Sequence, residues 1–379
     1  QSSLALAIAT LAATGADLTY AFAADTAVAS GATHILAYTT GPEGETTTPS
    51  ALDFDDLVVR IAADIYPGSA GSVPSEIIRC NGSLFFTAYT AAEGQEVWVS
   101  DGTAGGTTLV KDINPSGDAN PKHIVEFNDH AVFGATDGTN GRELWVSDGT
   151  AAGTNMAMNI NPGSADSDPN YFAVLNNYIY FLATETANGT ELWRMDDTFS
   201  TVANFADINP GAASSNPMFM TTANGYVFFQ ATDGTNGIEL WLTDGSSVFQ
   251  REIYSGGGNS NPANFFVMNN TLYFQATDGA SGIELYYTSG GAPTVIDING
   301  GGSSSSPSNF AAMNNILYFQ AMDDISTGVE LWSYDGATAS MVKDINPLTG
   351  SSYPGSMKAI NGRLFFQATN GSDGNELWI

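Results

Sequence analysis

Apolar and polar residues alternate in short runs along most of this chain. The pattern is clearest near residue 130. Ile124 to Phe127 is one run, and Ala131 to Thr136 is a second, with Phe133 and Ala135 on one face. Glu143 to Ser147 is a third, and the stretch from Met156 to Ile160 a fourth. A period of two puts alternate side chains on opposite faces, so these runs predict strands and not helices. Turn residues separate them: Asn128-Asp129, Asp137 to Gly141, Asp148-Gly149-Thr150 and Asn161-Pro162-Gly163. Asn, Asp and Gly tolerate positive φ, so Asn128-Asp129 predicts a two-residue type I′ hairpin.

The same block recurs. Glu, an apolar residue and an aromatic follow one another at Glu96, Glu143, Glu191, Glu239, Glu284, Glu330 and Glu376, at spacings of 47, 48, 48, 45, 46 and 46. The aromatic is Trp six times and Tyr286 once. A Gly stands two residues before each Glu, from Gly94 to Gly374. A repeated Asn (Asn81 to Asn361) has a Pro seven residues before it, a Phe five after it and an Ala seven after it. Four short strands per repeat of about 45 residues is the arithmetic of a propeller blade.

A segment resembling Asp-Ile-Asn-Pro also appears seven times, around Ile65, Ile113, Ile160, Ile208, Ile253, Ile298 and Ile345. The last repeat stops in its third strand, and the first such segment has no blade before it. Val58 to Ile65 is therefore expected to complete the last blade. The sequence predicts an all-β chain: a seven-bladed β-propeller of four-stranded blades over residues 51–379, closed by an N-terminal strand. Residues 1–50 form an apolar N-terminal extension. The Gly/Ser-rich pieces Gly256 to Ser260 and Gly300 to Ser308 share the phase of Asn161-Pro162-Gly163 and read as inter-blade loops.

Glu143 to Thr150, with Trp98-Val-Ser-Asp-Gly-Thr103 and Trp145-Val-Ser-Asp-Gly-Thr150, resembles the ELWxxDGT repeat family. The resemblance covers roughly residues 53–379. Later copies lose the downstream turn, as at Met195-Asp196-Asp197 and Tyr287-Thr288-Ser289. It implies a β-propeller repeat of large bacterial and algal proteins, many of them secreted or surface-attached, and it implies no activity.

Charge narrows the partners. Lys and Arg total 10 against 40 Asp and Glu, a formal charge of −30. That repels phosphate backbones and anionic lipid. The longest apolar stretch, Leu4 to Ala16, is too short for a membrane span. No basic residue precedes Arg60, and the chain opens at Gln1, which reads as a mature chain whose targeting segment has gone. Cys80 is the single cysteine; its equivalents in the other repeats are all apolar, so it reads as a core thiol.

Two readings compete for the seven Glu residues. In one, each carboxylate accepts backbone N–H groups from its own Gly-containing turn and locks the hairpin. In the other, Asp137 with Glu143, and Asp233 with Glu239, hold Ca²⁺. Seven equal sites favour the structural role, and no cofactor is expected unless that Ca²⁺ binds. His34, His123 and His130 make no metal set, and no catalytic constellation is apparent, so no enzyme is expected. Asp55-Asp56, Asp196-Asp197 and Asp323-Asp324 read as turn residues. Glycosylation sequons stand at Asn81, Asn188, Asn269 and Asn370.

Residues 1–50 alternate apolar with small residues and hold no Lys or Arg. They read either as an arm docking onto a second copy or as a cap on their own propeller. The functional expectation is an extracellular or cell-surface structural and adhesive building block that self-assembles through residues 1–50. The alternative is a Ca²⁺-dependent, lectin-like propeller with a carbohydrate or surface partner.

Overall fold

The computed structural model describes residues 61–323 and 327–379, together with four short strands before residue 61. The chain divides into two compact units, Gln1–Ile61 and Ala62–Ile379. In the first, His34–Ala37 pairs antiparallel with Ser50–Asp53, and Thr40–Gly41 with Gly44–Glu45.

The second unit is a seven-bladed β-propeller, with no helix among its described residues. Blade two is typical. Its strands are Lys122–Phe127, His130–Ala135, Glu143–Ser147 and Asn155–Met158, paired in chain order. All four lie within two residues of the runs read from the sequence, the fourth ending at Met158 and not at Ile160. Asn128 and Asp129 both take positive φ, 48° and 61°, as a type I′ turn demands. At Asn176-Asn177 only the first residue does so.

Register explains the repeated aromatic pattern. Phe133 stands opposite Trp145 and Ala135 opposite Glu143. Phe133, Ala135 and Trp145 pack against Cys80, Phe85 and Val97 of blade one. On the other side of blade two, Val132 and Leu144 pack against Ile179, Phe181 and Trp193 of blade three. Each blade thus presents one face to its predecessor and a different face to its successor. Six such cores join the seven blades in sequence. The first strands of successive blades lie side by side as the innermost row.

Blade seven differs. Its sheet has three strands, Gly355–Ile360, Arg363–Thr369 and Asn375–Trp378. The expected closing strand is not seen over its described part: Ile61 to Ile65 carry no strand, and Val58 to Arg60 lie outside the described residues. The physical reason is a missing anchor. Glu376 is exposed, and among the described residues no hydrogen bond joins it to the segment around Ile65 as Glu330 is joined to Ile345. Leu377 is 76% exposed, where its six counterparts are 4% or less.

Candidate functional site

The repeated Glu sits at or near the start of each third strand. The Asp-Ile-Asn-Pro segment leaves the fourth strand of the same blade and runs to the first strand of the next. Glu191 shows how the two meet. Its Oε2 accepts the Ile208 N–H at 2.8 Å and the Ser215 hydroxyl at 2.6 Å, and its Oε1 accepts the Ser215 N–H at 2.8 Å. Glu284 and Glu330 make the same three bonds, to Ile298 and Ser305 and to Ile345 and Ser352. Glu143 and Glu239 take Ile160 with Ser167 and Ile253 with Ser260.

The serine does more than hold the carboxylate. The Ser167 N–H also donates to the Arg142 carbonyl at 3.0 Å, and the Ser167 carbonyl accepts the Thr184 N–H of the next blade at 2.9 Å. One residue therefore stitches blade two to blade three. The loop carrying it presses so closely that a Cβ on Gly141 would overlap the Ala165 carbonyl. Close backbone approach explains the Gly two residues before the Glu.

Six of these Glu side chains are fully buried: Glu96, Glu143, Glu191, Glu239, Glu284 and Glu330. Burial pushes their carboxyls above the usual range, and the hydrogen bonds pull them partly back. Glu96 is pushed up to about 7. Its serine position is Ala119, so it lacks the hydroxyl bond and is held by backbone N–H groups, those of Ile113 and Asn114 at 3.1 and 3.2 Å among them. Glu143 Oε1 is buried without a partner.

Glu376, read from the sequence as a seventh equivalent, departs from this set. It is exposed, and a Cβ on Gly374 would meet nothing. The matching loop belongs to blade one. The Ser72 carbonyl accepts the Tyr89 N–H at 2.8 Å, as its six counterparts do in their blades. Among the described residues its N–H and hydroxyl meet no Glu.

The four residues named as Ca²⁺ ligands are used by turns and loops. Asp137 Oδ1 caps the N–H groups of Thr139 and Asn140, and Asp233 does the same for Thr235 and Asn236. Glu143 and Glu239 face the inter-blade loops. Among the described residues, no three His, Cys, Asp or Glu side chains stand together as a metal set. Asn81 and Asn269 lie on exposed hairpin turns; Asn188 and Asn370 are half-buried, their amides bonded to Glu185 and Asp373. Cys80 is buried in the core between blades one and two, which pushes its thiol up to about 11. Asp196 accepts the Ser200 and Thr201 N–H groups in a tight turn.

Sequence reasoning placed the Glu but missed the serine. The interval from Glu to Ser varies between 21 and 24 residues, so no fixed offset marks it.

The fold and its carboxylate locks define a seven-bladed β-propeller. No family model and no curated protein matches the sequence. Solved structures similar to this chain include a prolyl endopeptidase, at 14% identity and TM-score 0.43, covering 81% of this chain and 50% of that one. A puromycin hydrolase follows at 11% and 0.44, covering 82% and 52%. The propeller domain of the Trilobed protease from Pyrococcus furiosus has 9% identity and TM-score 0.39, covering 81% and 95%. The chain spans about half the length of the first and second of these. The expectation that this is no enzyme is corrected here, because the solved chains it resembles are peptidases and hydrolases. At such identities the likeness concerns the fold alone and assigns no substrate or catalytic residue.

Proposed function

We propose that this chain is a structural and adhesive building block of an extracellular or surface layer, with the propeller as its rigid scaffold. The observation that supports this most is the repetition of one lock. Six interfaces in succession bury the same carboxylate, five of them against the same serine. A group spent six times on holding blades together serves architecture. The resemblance to ELWxxDGT repeats points to the same setting.

Self-association through residues 1–50 completes the reading. That segment is rich in apolar residues and falls in a unit of its own. A surface of charge −30 opposes association, so screening cations from a saline medium assist it. The test is light scattering and electron microscopy of the full chain beside one lacking residues 1–50. Assembly by the full chain alone, increasing with salt, supports the reading. Equal assembly by both overturns it.

A further inference from the structure

The innermost strand of every blade carries a β-bulge at the same place, between the paired residues Asn170 and Ala173 in blade three and Met218 and Thr221 in blade four. The first bulged residue always has positive φ, between 51° and 60°. Glycine would adopt this conformation without strain, and other residues do so only at a cost. The chain has 41 glycines and places none here. The residues are Glu76, His123, Tyr171, Phe219, Asn264 and Asn309, with Ser356 in blade seven.

Two features separate this position from the rest of the repeat. Framework positions keep one residue type through the blades, whereas this one changes almost every time. Its side chains are also exposed, Phe219 at 37%, with only Tyr171 half-buried. They reach from blade to blade. The Tyr171 and Phe219 rings meet edge-on at 5.7 Å, Glu76 Oε2 lies 3.4 Å from the Ile124 N–H, and Asn309 Nδ2 donates to the Pro354 carbonyl at 3.4 Å. Strained backbone kept at a varied, exposed position is the mark of a presented surface and not of a frame.

We infer that this row is a binding site for a neutral oligosaccharide. An exposed phenyl ring beside a tyrosine offers an apolar platform for the C–H face of a pyranose. On the innermost strands of the two blades that follow, the Asn264 amide and the second N–H and the oxygen of the Asn309 amide offer donors and acceptors to its hydroxyls. A chain of charge −30 disfavours anionic ligands. The site lies on the innermost strands, apart from the inter-blade locks, and goes beyond the scaffold reading.

The test is calorimetric titration of the full chain with cellohexaose, chitohexaose and mannohexaose, beside the variants Phe219→Gly and Phe219→Tyr. At least one sugar should bind saturably. Phe219→Gly should weaken that binding at least tenfold while raising the melting temperature, because the strain is relieved. Phe219→Tyr should keep the affinity within about threefold. Absence of saturable binding to all three sugars overturns the inference. So does binding that Phe219→Gly leaves unchanged, or a lowered melting temperature for that variant, which would make the ring structural.

Discussion

Blades three and seven carry the same Gly-x-Glu-Leu-Trp sequence and put it to opposite ends. In blade three, Glu191 and Leu192 are fully buried and Gly189 lies under a loop carbonyl. In blade seven, Glu376 and Leu377 are exposed and Gly374 has open space around it. The difference lies in what arrives from the next blade. The repeat encodes half-interfaces: each blade bears an acceptor half, the Glu and the apolar residue after it, and a donor half, the serine and the Phe-Ala face. Burial follows only when two halves meet. Ser72 with blade one, and Glu376 with blade seven, are the two halves left over.

The largest test of this contrast is apolar. Leu240→Ala should cost about 2–5 kcal/mol, since it empties a site closed by blade five. Leu377→Ala should cost under about 0.5 kcal/mol, the range of ordinary surface substitutions. Denaturant midpoints of the two variants measure the gap; equal losses would mean that the last blade is covered as the others are.

The carboxylates give the next effect. Glu191→Ala leaves the buried Ile208 N–H without its acceptor and reduces Ser215 to its bonds with the Thr190 carbonyl, a cost of about 2 kcal/mol. Glu376→Ala should change stability by less than about 0.5 kcal/mol, read from the same unfolding curves.

The lock at Glu96 sharpens the comparison from within the set. Its folded carboxyl titrates near 7, above the ordinary 4.5, so the folded chain holds this proton to higher pH than the unfolded chain. The stability this contributes is present below about pH 4.5 and is lost as pH rises through about 7. Ala119→Ser supplies the hydroxyl that the other locks have and favours the charged form. It should stabilise by about 1.5 kcal/mol at pH 8, with a smaller gain at pH 5. A gain independent of pH would show that the hydroxyl does not reach Glu96.

Cys80 offers the smallest signal and the most local. It lies in the core between blades one and two, so its thiol should react with a disulfide reagent only as fast as that interface opens. Glu96→Ala should speed the reaction, and Glu376→Ala should leave it unchanged.

Most of the frame was legible in the sequence because it is written seven times. The alternation located the strands of blade two, and the Asn turns located its hairpin. The buried role of Glu143 followed from its recurrence, although its partners did not. They were looked for in the adjoining turn and lie instead in the inter-blade loop, up to 24 residues on. Those loops hid the answer by composition: Gly256 to Ser260 and Gly300 to Ser308 look like linkers, yet Ser260 and Ser305 are lock residues. The bulges were illegible for the opposite reason. Glu76, His123, Tyr171 and Phe219 share a backbone conformation and no chemistry, so no residue type announces it. The closing strand was inferred from a count of segments, and a count says nothing of whether Glu376 reaches Ile65.

The serine that ties one blade to the next also has a consequence for how such a chain changes length. Inserting or deleting one whole repeat, 45 to 48 residues here, adds or removes one acceptor half and one donor half together. The remaining blades then meet through interfaces chemically identical to the old ones. The inter-blade loops absorb changes of a few residues, as the 21 to 24 residues between Glu and Ser show, whereas a cut within a blade parts the two halves. Blade number is therefore the variable that duplication can alter at little cost, and the composition of each blade's innermost strand is free to diverge once the copy is made.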